Sequence, residues 1–229
     1  MPSYARTYQL KGNLLYHVIN RANARCTIFH DKEDFTYFVK LLSNICNKAD
    51  FKIYHWVIMS NHYHILIEID PPERLSSIMA SINRLYSIYH HKRYSSCGYL
   101  WQGRFKSQAV QKDSYLISCG RYIERNPVKA GIVRSAEDYS YSSARFYVCG
   151  KSDMVTSISP FYETLGNSPL ERQNAYHDML IDDNQDEDDY FENFEHPLGS
   201  NIFKAQLIKT NGRHIPRRKG RPKTVRLKW

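Results

Sequence analysis

Apolar positions in the first 150 residues follow two periods, alternation and a three-to-four spacing, and each switch between them marks an element. Leu14-Leu15-Tyr16-His17-Val18-Ile19-Asn20 is a β-branched and aromatic run that predicts a first strand, and Arg21-Ala22-Asn23-Ala24-Arg25 after it reads as a polar loop. Behind Asp31, a suitable N-cap, Phe35, Phe38, Val39, Leu42, Ile45 and Cys46 recur at helical spacing, so a helix is expected from Lys32 to Lys48. Phe51 to Met59 predicts a second strand, Ser60-Asn61 a short turn, and His62 to Ile69 a third strand. Asp70-Pro71-Pro72 breaks the sheet, and Leu75, Ile78, Met79, Ile82, Leu85, Tyr86 and Tyr89 then take helical spacing. Phe105 to Val110 alternates as a fourth strand. Asp113 is expected to cap a helix through Tyr115, Leu116, Cys119, Tyr122 and Ile123, with Pro127 ending it.

The order strand, helix, strand, strand, helix, strand predicts an α+β protein with a ferredoxin-like antiparallel sheet. Both helices would then lie on one face, leaving the other open for a substrate. Beyond Gly150 the pattern weakens. Residues 151–203 read as a helical extension, with short helices around Pro160 and Pro169 and an acidic linker from Asp182, and residues 204–229 as a basic tail.

Charge sharpens this division. The formal net charge is +9, yet residues 204–229 carry ten Lys or Arg and no acid, while residues 182–195 carry eight Asp or Glu and no base. The body stays basic without either run, which favours a polyanionic partner such as DNA or RNA, the alternative being a solvated surface, the commoner fate of isolated charge runs. Eighteen tyrosines point the same way, since a tyrosine packs through its ring and also stacks on bases. Five widely spaced cysteines without a CxxC pair predict reduced thiols rather than a zinc ribbon. No apolar run approaches the ~18 residues of a membrane span. Met1-Pro2-Ser3-Tyr4-Ala5-Arg6 lacks the apolar core of a signal peptide, so the expected location is the cytoplasm.

Candidate chemistry begins in the third strand. His62 and His64 stand two apart and share one strand face, where two imidazoles can hold a metal ion or simply be two polar residues on a sheet. Tyr122 and Asn126 stand four apart and share a helix face. A helix laid across the third strand would bring a hydroxyl and an amide oxygen to the imidazoles. Tyr115 lies seven residues before Tyr122 on nearly the same face, so spacing does not choose between the two tyrosines. By ligand type, two imidazoles suit manganese, nickel or zinc at least as well as magnesium.

Several stretches resemble a known family in order. Met59-Ser60-Asn61-His62-Tyr63-His64-Ile65-Leu66 is similar to "MPNHYHLL", Leu100-Trp101-Gln102-Gly103-Arg104-Phe105-Lys106 to "LFQGRYK", and Arg121 to Gly131 to "RYIxxNPVRAG". Tyr16-His17-Val18 with Arg21 and Asn23 matches the first strand and loop. These are motifs of the single-tyrosine HUH transposases, the IS200-like superfamily, in its REP-associated branch. The resemblance spans about residues 10–150 and departs from the pattern at Ser60, where proline is usual. It implies that residues 1–150 are a catalytic domain for metal-dependent cleavage and joining of single-stranded DNA beside a hairpin. Carried over by position, His62, His64 and Asn126 hold Mg²⁺ or Mn²⁺, and Tyr122 is the nucleophile that forms a 5′-phosphotyrosine. Arg21, Asn23, Arg104, Lys106 and Arg121 are the expected DNA contacts of the domain.

In the tail, Arg217-Arg218-Lys219-Gly220-Arg221-Pro222-Lys223 resembles an AT-hook, whose basic residues (Arg217, Arg218, Lys219, Arg221 and Lys223) would follow a narrow minor groove. A disordered basic tail would add salt-dependent affinity all the same. Within the family a monomer is favoured here, a dimer that exchanges tyrosine helices stays open, and the nucleoid is the expected place of action. Two rival readings remain: a domesticated hairpin-binding protein with little or no transposition, and an RNA-processing metal nuclease that uses water.

Overall fold

The computed structural model describes residues 14–112, 114–182, 191, 194 and 197–211. Asp113, most of the acidic run and the AT-hook-like stretch, for which readings were made above, lie outside the described residues. Strands β1 (Leu15–Arg21), β2 (Lys52–Ile58), β3 (His62–Glu68) and β4 (Lys106–Val110) form one antiparallel sheet in the order β2-β3-β1-β4. With α1 (Lys32–Ala49) after β1 and α2 (Arg74–Tyr94) after β3, this is the ferredoxin-like arrangement.

Side-chain alternation divides the sheet between two cores. Tyr63, Ile65 and Ile67 of β3 join Tyr16 and Val18 of β1 and pack against Phe38 and Leu42 of α1 and Ile78, Ile82 and Tyr86 of α2. The residues between them face the opposite way. A β-bulge in β2 modifies the pattern: Ile53 pairs with Ile67 and His55 with Leu66, so Tyr54 is the extra residue and both Tyr54 and His55 turn to the second face.

That second face is not open, as the two-helix reading expected. Helix α3 (Ser114–Lys129) lies across it, and Leu116, Cys119, Tyr122 and Ile123 pack on Leu15, Val57, Leu66 and Val110. Leu116, Cys119 and Ile123 form the apolar stripe of α3, and a bare sheet face would have left that stripe in water. Behind α3 stands a third layer made by α4 (Ala144–Cys149), α5 (Pro160–Glu163) and α6 (Pro169–Ile181). Ile117, Ala136, Ala144, Tyr147, Tyr162, Tyr176 and Leu180 share its apolar cluster, so residues on both sides of position 150 pack together. Leu198 then pairs with the edge strand β4, its N–H donating to Ala109 O at 2.7 Å, and α7 (Asn201–Asn211) follows.

Pro127 does not end α3, which runs to Lys129. A proline here removes the N–H that would bond Ile123 O. The Asn126 side chain replaces that donor, with Nδ2 at 3.2 Å from Ile123 O and 2.8 Å from Tyr122 O. All five cysteines are free thiols, and among the described residues no helix is long and apolar enough to cross a membrane.

Helix α3 passes close to the sheet at Gly120, where an added Cβ would fall 2.6 Å from the His55 ring. Helix propensity alone would make Gly120→Ala stabilising by about 1 kcal/mol. Overpacking of a buried ring should reverse the sign, giving a net loss of about 1–3 kcal/mol in chemical denaturation.

Candidate active site

At the end of the sheet where β1 finishes and β3 begins, a cleft of about 480 Å³ opens between the strands, α3 and the loop before β4. Arg21 from β1, His62 and His64 from β3, Arg104 and Lys106 from the β4 side, and Tyr122 and Asn126 from α3 all line it. The register explains the convergence. Arg21 pairs with His62 and Ile19 with His64, so the end of β1 and the start of β3 present alternate side chains to α3.

Hydrogen bonds orient each histidine of the cleft. Asn61 Nδ2 donates to Arg25 O at 2.9 Å, which turns Asn61 Oδ1 to His62 Nδ1 at 2.6 Å. His62 Nδ1 therefore carries the proton, and Nε2 keeps its lone pair. His64 Nδ1 stands 2.9 Å from His17 Nε2, with the two rings stacked at 5.1 Å. In the tautomer in which His64 Nδ1 donates to His17, His64 Nε2 is left as an acceptor. Burial, then the Arg21 charge, pulls the His62 pKa down to about 4, and burial pulls His17 down to about 3. Burial also holds His64 well below its usual value, helped by His17, His62, Arg21 and Lys129. At neutral pH all three rings are uncharged.

On the α3 side, Tyr122 is 5% exposed, its ring centre 5.7 Å from that of His64 and 5.8 Å from that of His17. Lys129 Nζ lies 4.8 Å from the centre of the tyrosine ring. Since the Asn126 amide nitrogen faces two carbonyls, which only accept, its oxygen is the atom left for the cleft. Two imidazole nitrogens and one amide oxygen are neutral donors that fit a divalent ion completed by phosphate oxygens or water. Among the described residues no cluster of three or more His, Cys, Asp or Glu side chains could hold a metal by itself.

The residues singled out in the sequence divide accordingly. His62, His64, Tyr122, Asn126, Arg21, Arg104 and Lys106 come together in one cleft, all within a single chain. Tyr115 does not line it: it sits on the rim of the α3 cluster, seven residues and about 10 Å along the helix from Tyr122. Asn23 lies in the short turn beyond β1, outside the cleft lining. Arg121 is turned away, its guanidinium donating to Asp182 O at 2.8 Å. Sequence reading missed His17, which alternation along β1 places on the same face as Ile19, whose cross-strand partner is His64. Phe191 and Phe194 were missed as well. Phe191 stacks on Tyr122 at 5.3 Å, and Phe194 lines the cleft with its ring 4.8 Å from that of His17.

A four-stranded ferredoxin-like sheet with paired histidines facing a helix-borne tyrosine defines a class of site. Residues 11–126 match the family described as "Transposase IS200 like", which is half of the chain, and the chain belongs to that family. A curated relative, the REP-associated tyrosine transposase of Escherichia coli (strain K12), is 24% identical over 140 residues, covering 60% of this chain and 80% of its own length. The solved structure of a REP-associated tyrosine transposase bound to a REP hairpin superposes with a TM-score of 0.54 at 22% identity. It covers 69% of this chain and 92% of that one, and shows the shared fold.

His17 orients His64 without reaching the cleft lining, so His17→Phe should keep the packing and lose the hydrogen bond. Loss of such a supporting partner weakens metal binding by about 10–100-fold. The expected outcome is a shift of that size in the Mn²⁺ concentration that half-saturates the protein in the presence of a single-stranded oligonucleotide.

Proposed function

We propose that this chain nicks and rejoins single-stranded DNA beside a hairpin, with Tyr122 as the nucleophile. The observation that carries the reading is the convergence of Tyr122, His62, His64 and Asn126 on one cleft rimmed by Arg21, Arg104 and Lys106. The Tyr122 oxygen attacks a phosphodiester phosphorus, the P–O3′ bond breaks, the phenolic proton passes to solvent, and the departing 3′-oxygen takes a proton from solvent to become a 3′-hydroxyl. A 5′-phosphotyrosine remains, and attack by a 3′-hydroxyl reverses the step and joins strands. Mg²⁺ or Mn²⁺ held by His62, His64 and Asn126 would neutralise charge on the phosphate and stabilise the departing oxygen. Arg21, Arg104 and Lys106 hold the backbone phosphates on either side of the reacting one, and Lys129 adds positive charge at the tyrosine ring. Buried, uncharged histidines leave their nitrogen lone pairs for the ion.

The hairpin is suggested by the relative solved with one, and the basic tail from residue 204 would add sequence-independent affinity for the chromosomal DNA of the nucleoid. A second reading, a hairpin-binding protein whose site is idle, draws on Phe191 and Phe194, which pack within the cleft region against Tyr122 and His17.

A labelled hairpin oligonucleotide with a single-stranded flank, incubated with Mn²⁺ or Mg²⁺, separates the two. A covalent adduct that is lost in Tyr122→Phe and retained in Tyr115→Phe is expected, with Asn126→Ala and His64→Ala each slowing it by at least about 100-fold. Hairpin binding with no adduct in the wild type would favour the idle site, and cleavage surviving in Tyr122→Phe would remove Tyr122 from the nucleophile role. In the same assay each of Arg21→Ala, Arg104→Ala and Lys106→Ala should weaken binding across sequences and reduce the salt slope by about 1.

A further inference from the structure

Glu124 is fully buried on α3, two residues after Tyr122 and two before Asn126, and it does not line the cleft. Two residues along an α-helix is a turn of about 200°, so Glu124 leaves the helix on the side away from Tyr122. Its carboxylate collects three donors from three other elements. The Ser143 hydroxyl, at the start of α4, donates to Oε1 at 2.5 Å, and the Tyr176 hydroxyl of α6 donates to Oε2 at 2.7 Å. His55 Nδ1 of β2 approaches Oε1 at 2.9 Å. Ser143 in turn accepts from Trp56 N–H at 2.9 Å, so the network is anchored in the backbone of the sheet. The His55 ring is clamped between the bare α3 backbone at Gly120 and the Tyr147 ring, stacked at 4.6 Å.

A buried carboxylate is costly unless its oxygens are satisfied. An apolar residue would have filled this seam between α3 and the outer helices with less desolvation. What a carboxylate adds is direction, because its donors fix the roll of α3 about its own axis, whereas the apolar stripe of Leu116, Cys119 and Ile123 would tolerate several rolls. A roll of about 10° displaces a side chain at a radius of about 5–6 Å by about 1 Å. Misplacement on that scale at reacting atoms costs on the order of 100-fold in rate.

We infer that Glu124 is the positioning residue of the nucleophile: through Ser143, Tyr176 and His55 it sets the roll of α3, which carries Tyr122 and Asn126 into register with His62 and His64. The helices after residue 150 then form part of the catalytic apparatus, because Tyr176 lies among them. The inference rests on Tyr122 acting as the nucleophile, as proposed above.

The test compares the full-length wild type with Glu124→Gln, Glu124→Ala and Tyr176→Phe by three measurements. These are the melting temperature, the Kd for the labelled hairpin oligonucleotide, and the single-turnover rate of adduct formation at saturating DNA and metal. The expected result is a Kd within about twofold of wild type in every folded variant, since Glu124 and Tyr176 stand outside the cleft lining. The adduct rate should fall by about 100-fold in Glu124→Ala. It should fall by about 10-fold in Tyr176→Phe, which keeps the ring and removes one donor, and be partly rescued in Glu124→Gln, which keeps an acceptor for one of the two hydroxyls. A role confined to stability would lower the melting temperature and leave the rate of the folded fraction unchanged. Should Glu124→Ala fail to fold, Tyr176→Phe and Glu124→Gln decide the matter alone. Wild-type adduct rates in those two, measured on folded protein, would overturn the inference while leaving the nucleophile in place. A wild-type protein that forms no Tyr122 adduct would remove the proposed function itself and the inference with it.

Discussion

The alternation of side chains along β3 is the constraint on which core and site both depend. Tyr63, Ile65 and Ile67 commit one face of the strand to the α1 and α2 layer, and that commitment forces His62, His64 and Leu66 onto the other. Because Tyr63 and Ile65 are almost wholly buried, a slip of one residue would place two imidazoles in an apolar core and two large apolar groups against α3. Hydrophobic register thus holds the histidine pair more firmly than any hydrogen bond in the cleft. The pairing of β3 with β1 extends the same logic, since it sets His17 diagonally beside His64.

Helix α3 meets this sheet under a different constraint. It must cover Leu66, Val57 and Val110 while offering Tyr122 and Asn126 at its cleft edge, so only part of its circumference is available for apolar packing. Gly120 permits the close approach and Glu124 resists rotation. The proline two residues before the end of the helix releases a carbonyl that Asn126 then satisfies, and in doing so the side chain turns its oxygen outward. A helix-terminal defect and the orientation of a candidate ligand are therefore one arrangement. This makes the Asn-Pro pair more than a stop signal, which is all that local sequence rules see in it.

Much of this was legible in the sequence. Period two and period three-to-four are properties of short windows, and they located all four strands, the first three long helices and the shared faces of His62 with His64 and of Tyr122 with Asn126. What escaped was set by contacts between distant segments. Tyr115 and Tyr122 are equivalent by helical angle, and only the position of α3 along β1 and β3 separates them, by about two turns of helix. His17 looked like filler in an apolar run because its partner, His64, lies 47 residues away. The bulge at Tyr54 breaks alternation without a glycine or proline to announce it, and it is the bulge that brings His55 under α3. Phe191 and Phe194 sit in a run whose eight acids suggested solvent, and nothing local distinguishes an aromatic residue that docks from one that does not.

The charge of the cleft gives the metal question a physical form. Its described lining holds two uncharged imidazoles, three side-chain amides (Asn20, Gln102 and Asn126) and three cations, Arg21, Arg104 and Lys106, and no carboxylate. Such a donor set attracts a free divalent ion weakly, because hard cations draw most of their binding energy from anionic oxygens and the neighbouring cations oppose them. A phosphodiester reverses the balance: it pairs with the cations and supplies the missing anionic ligands in the same step. Metal and DNA would then bind with positive coupling, each raising the affinity of the cleft for the other. With Tyr122 as the proposed nucleophile beside such a site, an ion that bound only with substrate would stand next to it at the phosphate to be attacked. On this argument, a described lining without carboxylates would couple metal occupancy to the presence of DNA.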